Sequence, residues 1–472
     1  MRVLYVASEV TPFAASGGLG DVMGALPKAV RALHPDWEVG VICPLYGSIS
    51  ESDRAQMINR GNFTVSLSWR RQYCGIFELQ KDGVRYFFVD NEYYFKRGGG
   101  LYGQYDDGER FAFFCRAVME FALQMDFVPD VLHANDWQAA LTVIYAKRNY
   151  ASYPAFRGMK TVFTIHNIEY QGKYDRAILG DVFDISDYDC SLVEFDGCIN
   201  LMKGAIVATD KLTTVSPNYA RELTTSYFAF GLQQIIRENS YKFSGIINGL
   251  DTAFFDPASP ILPCPYDKSS LEEGKAKNKA ALQRELGLPE RPDVPLIVMI
   301  TRLTAAKGVD LLLARFEELM REDLQFVLLG TGERCYEDAF RGLCEKHGDR
   351  ARALLRFDRD LSKRMYAAAD LFLMPSRSEP CGLAQMTACR YGTVPIVRGC
   401  GGLYDTILPY DREDSNGFVF WDYDAWQLLE QIRYALRTYR DKNAWNALRL
   451  RAVNSDFSWE QSARRYSELY CN

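Results

Sequence analysis

The stretch that decides the fold is PLIVMITRLTAAKG, Pro295 to Gly308, followed by VDLLLARFEEL from Val309 to Leu319. An unbroken apolar run bounded by proline reads as a strand buried on both faces, and the run after Gly308 carries a helical period. A polar turn separates the two. Strand, turn and helix in that order form one step of a parallel α/β sheet. The grammar recurs downstream, where Phe326 to Leu329 precedes Gly330-Thr331-Gly332, and Leu371 to Met374 and Val394 to Val397 are further strands. It recurs upstream as well. Val3 to Ala7, Trp37 to Cys43, Tyr86 to Val89, Val131 to His133 and Thr161 to Ile165 read as strands, and Asp21 to Leu33 as a helix. Between the halves stand the turn Asn248-Gly249-Leu250-Asp251 and four prolines from Pro257 to Pro265. Two doubly wound lobes joined near residue 250 satisfy this pattern, and a chain of 472 residues is long enough for both.

Composition narrows the function. Lys and Arg number 55 against 61 Asp and Glu, a net charge of −6. That balance offers no electrostatic footprint for nucleic acid. No apolar run approaches the roughly 18 residues of a membrane helix, and the N-terminus reads as a strand rather than a signal peptide. The twelve cysteines lack metal-ligand spacing and read as thiols of a reducing cytoplasm. A small molecule or an uncharged polymer is the expected partner.

Ligands of open α/β sheets bind beyond the carboxyl ends of strands, so residues there carry most weight. The first such group is Gly17-Gly18-Leu19-Gly20-Asp21, where glycines permit positive φ and close approach of a ligand. Asp21 reads either as a ligand-side acid or as a helix N-cap. Two of only four histidines, His133 in HANDW (133–137) and His166 in HN (166–167), directly follow strands. Arg302 and Lys307 place two cations five residues apart at a strand end, which suits a diphosphate. Glu379, in SRSEPCGL (376–383), could bind sugar hydroxyls, whereas Cys381 lacks a neighbouring histidine and reads as a packed thiol. Gly399 to Leu403 is a further glycine turn able to present amides to phosphate, Gly402 among them. Arg97 to Arg110, rich in glycine and tyrosine, reads as a mobile surface loop.

Together these residues resemble the bacterial glycogen synthase and plant starch synthase family of retaining glucosyltransferases. GGLGD (17–21), HANDW (133–137), HNIEYQG (166–172), INGLD (247–251), RLTAAKG (302–308), SRSEPCGLAQ (376–385) and RYGTVPIVRGCGGLYDT (390–406) carry the resemblance, in order and spacing. It implies the GT-B fold, two facing Rossmann-like domains with an interdomain cleft. The N-terminal, acceptor-side domain would span 1–246, the nucleotide-sugar domain 247–455, and a C-terminal helix (456–472) would pack back on the first. It implies a donor site of Gly17, Gly18, Asn248, Arg302, Lys307, Phe357, Cys381, Gly382, Leu383 and Gly402. Phe357 would lie against the base, with Phe95 on its opposite face. His166 and Glu379 would stand beside the transferred glucose, and Asp21, Asp136 and His133 on the sugar side.

The implied reaction moves glucose from ADP-glucose to the non-reducing end of an α-1,4-glucan with retention. No cofactor or metal is expected, the sugar nucleotide being a substrate. No residue matches a carboxylate nucleophile, so same-face attack beside the departing diphosphate is expected. One position departs from the family pattern. Lys-Thr-Gly-Gly-Leu is usual where this chain has Ala15-Ser16-Gly17-Gly18-Leu19. A charge-assisted contact of about 1.5–3 kcal/mol is thereby missing, to be supplied by Lys173 or Arg97 or else lost from donor affinity. UDP-glucose as donor, another acceptor, or an α-glucan-binding protein without catalysis are the alternatives.

Overall fold

A computed structural model describes residues 1–472 and divides the chain into two compact units, 1–249 with 459–472, and 250–458. The first unit is built on a nine-stranded sheet. From one edge its strands are Phe243–Gly245, Lys211–Thr214, Lys160–Ile165, Val131–Asn135, Arg2–Val6, Glu38–Pro44, Val84–Asp90, Arg70–Lys81 and Ile58–Leu67. The first seven are parallel, and the last two close the sheet as an antiparallel hairpin. The final helix, Trp459–Cys471, belongs to this unit and packs on the helix Gly18–Leu33. It enters across Gly249, where a Cβ would lie 2.5 Å from the Trp459 backbone.

The second unit holds a six-stranded parallel sheet in the order Ala351–Leu354, Gln325–Leu329, Leu296–Ile300, Leu371–Met374, Val394–Arg398, Phe418–Phe420. In Leu296–Ile300 alternate side chains enter opposite cores. Ile297 and Met299 pack with Phe316, Phe340 and Leu428, while Leu296 and Val298 pack with Met365, Tyr366 and Leu282. A sheet covered on both faces must be apolar on both, which explains the unbroken PLIVMI run. The helix expected over 309–319 is two short ones, Val309–Ala314 and Phe316–Leu319. They part at Arg315, whose guanidinium stacks 3.9 Å from the Trp426 ring centre.

One helix of this unit buries an unusually polar face. Leu271–Glu285 turns Lys275, Lys279 and Gln283 toward the amino ends of the strands, while its buried Asn278 holds the Cys264 backbone. Lys279 Nζ lies 2.7 Å from Asp370 Oδ2 and also donates to the Val294 carbonyl. The same carboxylate accepts the Leu296 amide, and the Asp370 backbone bonds to Leu296 and Val394. Asp370 thus fixes the starts of three adjacent strands, and Lys279 neutralises it. Lys279→Met would strand a buried charge, so its cost should be about 3–5 kcal/mol. In urea unfolding, Lys279→Met/Asp370→Asn should recover part of that loss. A single variant within about 1 kcal/mol of the parent protein would contradict this role.

Candidate active site

In the second unit, three loops leave the carboxyl ends of neighbouring strands and interlock through glycine. Gly308 is left-handed (φ +69°), and a Cβ there would stand 1.9 Å from the Pro375 carbonyl oxygen. Gly401 (φ +44°) approaches the Glu379 carbonyl as closely, and a Cβ on Gly402 would fall 2.2 Å from that of Cys381. Only glycine permits these approaches. They draw residues 301–308, 375–383 and 399–402 into one cradle.

Glu379 occupies its centre, 7% exposed, with Oε2 2.6 Å from Lys307 Nζ and 3.2 Å from Ser376 Oγ. Arg302 is exposed and its guanidinium makes no ion pair within the protein. The amides of Gly382 (φ +75°) and Leu383 donate to no protein atom. Gln385 supports that turn, its Nε2 lying 3.1 and 2.9 Å from the Cys381 and Gly382 carbonyls. One expectation needs correcting here. The Gly402 amide is directed at the Glu379 and Pro380 carbonyls, so Gly402 serves by closeness of backbone rather than as a free phosphate donor. Cys381 is buried and joined in no disulfide, and Phe357 is an exposed ring, 83% accessible. Asn248, in the first unit, is buried, and its Oδ1 has no partner in the protein.

The first unit gathers a second polar group at its own strand ends. The glycines of GGLGD take no positive φ. Gly17 is the extended N-cap, the helix begins at Gly18, and Asp21 lies one turn inside it, accepting from Thr11 Oγ1 at 3.3 Å. Asp21 is therefore not the N-cap. Gly20 is required for another reason, since a Cβ would overlap that of Ala15 at 2.4 Å. The Glu9 carboxylate, buried, accepts the Ser16 amide and hydroxyl, the Gly17 amide at 3.0 Å and the Tyr102 hydroxyl. The Gly17 amide is thus committed to Glu9. Gly18 has open space where a side chain would be.

Tyr102 corrects the reading of 97–110 as a mobile loop. Its hydroxyl binds Glu9 and Ser8, Arg97 pairs with Asp106 at 2.7 and 2.8 Å, and Asp107–Arg110 is already helix. Arg97 is accordingly spent and cannot replace the cation missing at Ala15, whereas Lys173 is exposed. Phe95 is 1% exposed beneath Tyr46, Tyr94 and Phe113, so it offers no face to a base. Sequence reasoning passed over Glu9, Tyr102, Ser376 and Asn135. Glu9 and Asn135 follow or end strands, which was the available signal.

Asp136, half-buried with φ +57°, follows the Val131–Asn135 strand and receives the amides of His166 (2.7 Å) and Asn167 (3.3 Å). Burial drives its carboxyl up to about 7, the two amides opposing and Glu9 adding repulsion. Burial lowers both His133 and His166 to about 3, so both rings are neutral. His133 is wholly enclosed between Tyr470 (2.8 Å from Nδ1) and Thr164 (2.6 Å from Nε2). It holds the final helix in place and is not available to a sugar. His166 keeps a partly open ring, with Nε2 2.9 Å from Asn135 Oδ1.

A cradle of cations, buried carboxylate and free amides at the ends of one doubly wound sheet, with a neutral histidine and an acid at the ends of another, defines a GT-B glycosyltransferase. Comparison with known proteins gives the family. Residues 2–238 match the starch synthase catalytic domain and residues 282–447 the glycosyl transferases group 1 domain. The chain is 46% identical to a glycogen synthase of Geobacillus thermodenitrificans, covering 100% of this chain and 97% of that one. It is 47% identical to one of Clostridium botulinum, with 100% and 99% covered. Starch synthase IV of Arabidopsis thaliana, solved as its catalytic domain with ADP and acarbose, matches with TM-score 0.89 and 34% identity over 100% of this chain and 98% of that one. A sucrose-phosphate synthase of Thermosynechococcus elongatus shares the fold at TM-score 0.63 and 17% identity over 100% and 98%. The chain belongs to the glycogen and starch synthase family.

The raised Asp136 carboxyl has a consequence for stability. The folded state keeps a proton that the unfolded chain releases near 3.8, so this group's contribution falls as pH rises from there to about 7. Asp136→Asn, which can still accept the two amides, should gain stability relative to the parent protein across that window and then level off. Urea midpoints that shift equally at every pH would show that Asp136 is not raised.

Proposed function

We propose that this chain elongates α-1,4-glucan, transferring glucose from ADP-glucose to the 4-hydroxyl of the non-reducing end with retention of configuration. The observation that carries the reading is Lys307 held on Glu379 beside an uncommitted Arg302 and the two free amides of Gly382 and Leu383. Such a group accepts a diphosphate on its cations and amides and sugar hydroxyls on its carboxylate. The solved relative from Arabidopsis holds ADP and acarbose, and relatives across the full chain are glycogen synthases.

In the proposed step the acceptor hydroxyl approaches C1 of the donor glucose on the face from which the diphosphate departs. The C1–phosphate oxygen bond breaks, the C1–O4 bond forms, and the acceptor proton passes to the leaving oxygen. Arg302, Lys307 and the Gly382 and Leu383 amides meet the charge that develops there. His166, neutral, and Asp136 hold the sugar side. Phe357 offers its exposed face to the base. No helix of the chain is long and apolar enough to cross a membrane, and no disulfide joins any of the twelve cysteines, which supports a reducing cytoplasm.

Nucleotide release with glycogen, measured separately for ADP-glucose and UDP-glucose, tests the reading. Acceptor-dependent ADP release well above UDP release is expected, and Lys307→Ala should lower kcat by about 10²–10³. Faster release from UDP-glucose would reassign the donor. A near-parental rate for Lys307→Ala would remove the lysine from the mechanism.

A further inference from the structure

Asn135 ends the strand before Asp136 and is wholly buried. Its side-chain amide has two hydrogens, and both are placed. Nδ2 lies 3.3 Å from the Val6 carbonyl and 3.1 Å from the His133 carbonyl. A reversed amide would set its oxygen against two carbonyl oxygens, so the orientation is fixed. Oδ1, which can only accept, therefore faces His166 Nε2 at 2.9 Å. His166 must carry its proton on Nε2, and Nδ1 is left as a lone pair without a protein partner.

We propose that Asn135 is a positioning residue that locks His166 in the Nε2–H tautomer, so that Nδ1 meets the substrate only as a hydrogen-bond acceptor for a sugar hydroxyl. This rests on the glucosyl-transfer reading above. The lock has its own support. With Tyr470 donating to Tyr5 at 2.9 Å, its single proton is spent, so His133 Nδ1 must donate to Tyr470 and Nε2 accept from Thr164. Thr213 donates onward to Thr164. This string fixes the His133 backbone whose carbonyl anchors Asn135, and it begins on the final helix. The groups that bear on His166 are Asp136, through its amide, and His133 on the adjoining strand. Glu9 and Tyr219 act on Asp136. None is a cation.

The test uses the full chain labelled with ¹⁵N-histidine. Four histidines keep the spectrum readable, and His166→Gln identifies the signal. The parent protein should show His166 as the single Nε2–H tautomer, unchanged to about pH 5. A mixture, or the Nδ1–H form, overturns the proposal whether or not the protein transfers glucose. Asn135→Ala adds a second readout. With the acceptor for Nε2–H removed, the ¹⁵N spectrum of His166 should show both tautomers, and kcat should fall about tenfold. A variant that keeps the single Nε2–H form also overturns it. Absence of glucose transfer by the parent protein would instead defeat the functional reading, while the spectrum still decides the tautomer.

Discussion

Backbone meets backbone at Gly308, Gly401 and Gly402, where no side chain could be tolerated. On these contacts the strand-end cradle of the second unit depends. They join loops from the Leu296–Ile300, Leu371–Met374 and Val394–Arg398 strands into a rigid rim, and the rim sets Glu379 under Lys307. A lysine on a mobile loop would lose several rotors on meeting a phosphate. Here much of that cost is met on folding, because the salt bridge at 2.6 Å already orders the side chain. The price is a local one. Glu379 must be buried, and Lys307 and Ser376 are what make its burial tolerable.

The polar group of the first unit follows different physics. Uncharged groups dominate, with His166 and His133 kept neutral by burial and the Asp136 carboxyl raised by burial to about 7. Glu9 is the exception, and four donors from Ser16, Gly17 and Tyr102 satisfy it. The knot ties the glycine loop to the 97–110 segment. It also shows how the chain lives with Ala15. Loop order there comes from Glu9 and from the Ala15–Gly20 contact, neither of which needs a lysine at position 15. Arg97, bound to Asp106, contributes order instead of charge.

Most parallel strands were legible because burial on both faces forces continuous apolar runs, as in PLIVMI and Leu371–Met374. The antiparallel hairpin Ile58–Lys81 was not, since one of its faces is wet and its alternation is broken by Gly61 and a register shift between Asn59 and Gly61. The strand-end placement of Arg302, Lys307 and Glu379 was readable from position alone. Roles that depend on who holds whom were not. Composition does not tell that Tyr102 reaches back to Glu9, that Phe95 points into the core, or that the Gly17 and Gly402 amides are already engaged. His133 is instructive. Its strand-end position matches that of His166, yet the final helix, more than 300 residues later, closes over it with Tyr470.

In the proposed reading, the glycine-joined rim of the second unit holds the nucleotide diphosphate through Arg302 and Lys307. Calorimetric titration of ADP into the full chain and into Arg302→Met/Lys307→Met measures this without any dependence on catalysis. Loss of two charge-assisted contacts predicts weakening by more than about a hundredfold. An affinity unchanged by the double substitution would contradict the claim and move the diphosphate elsewhere.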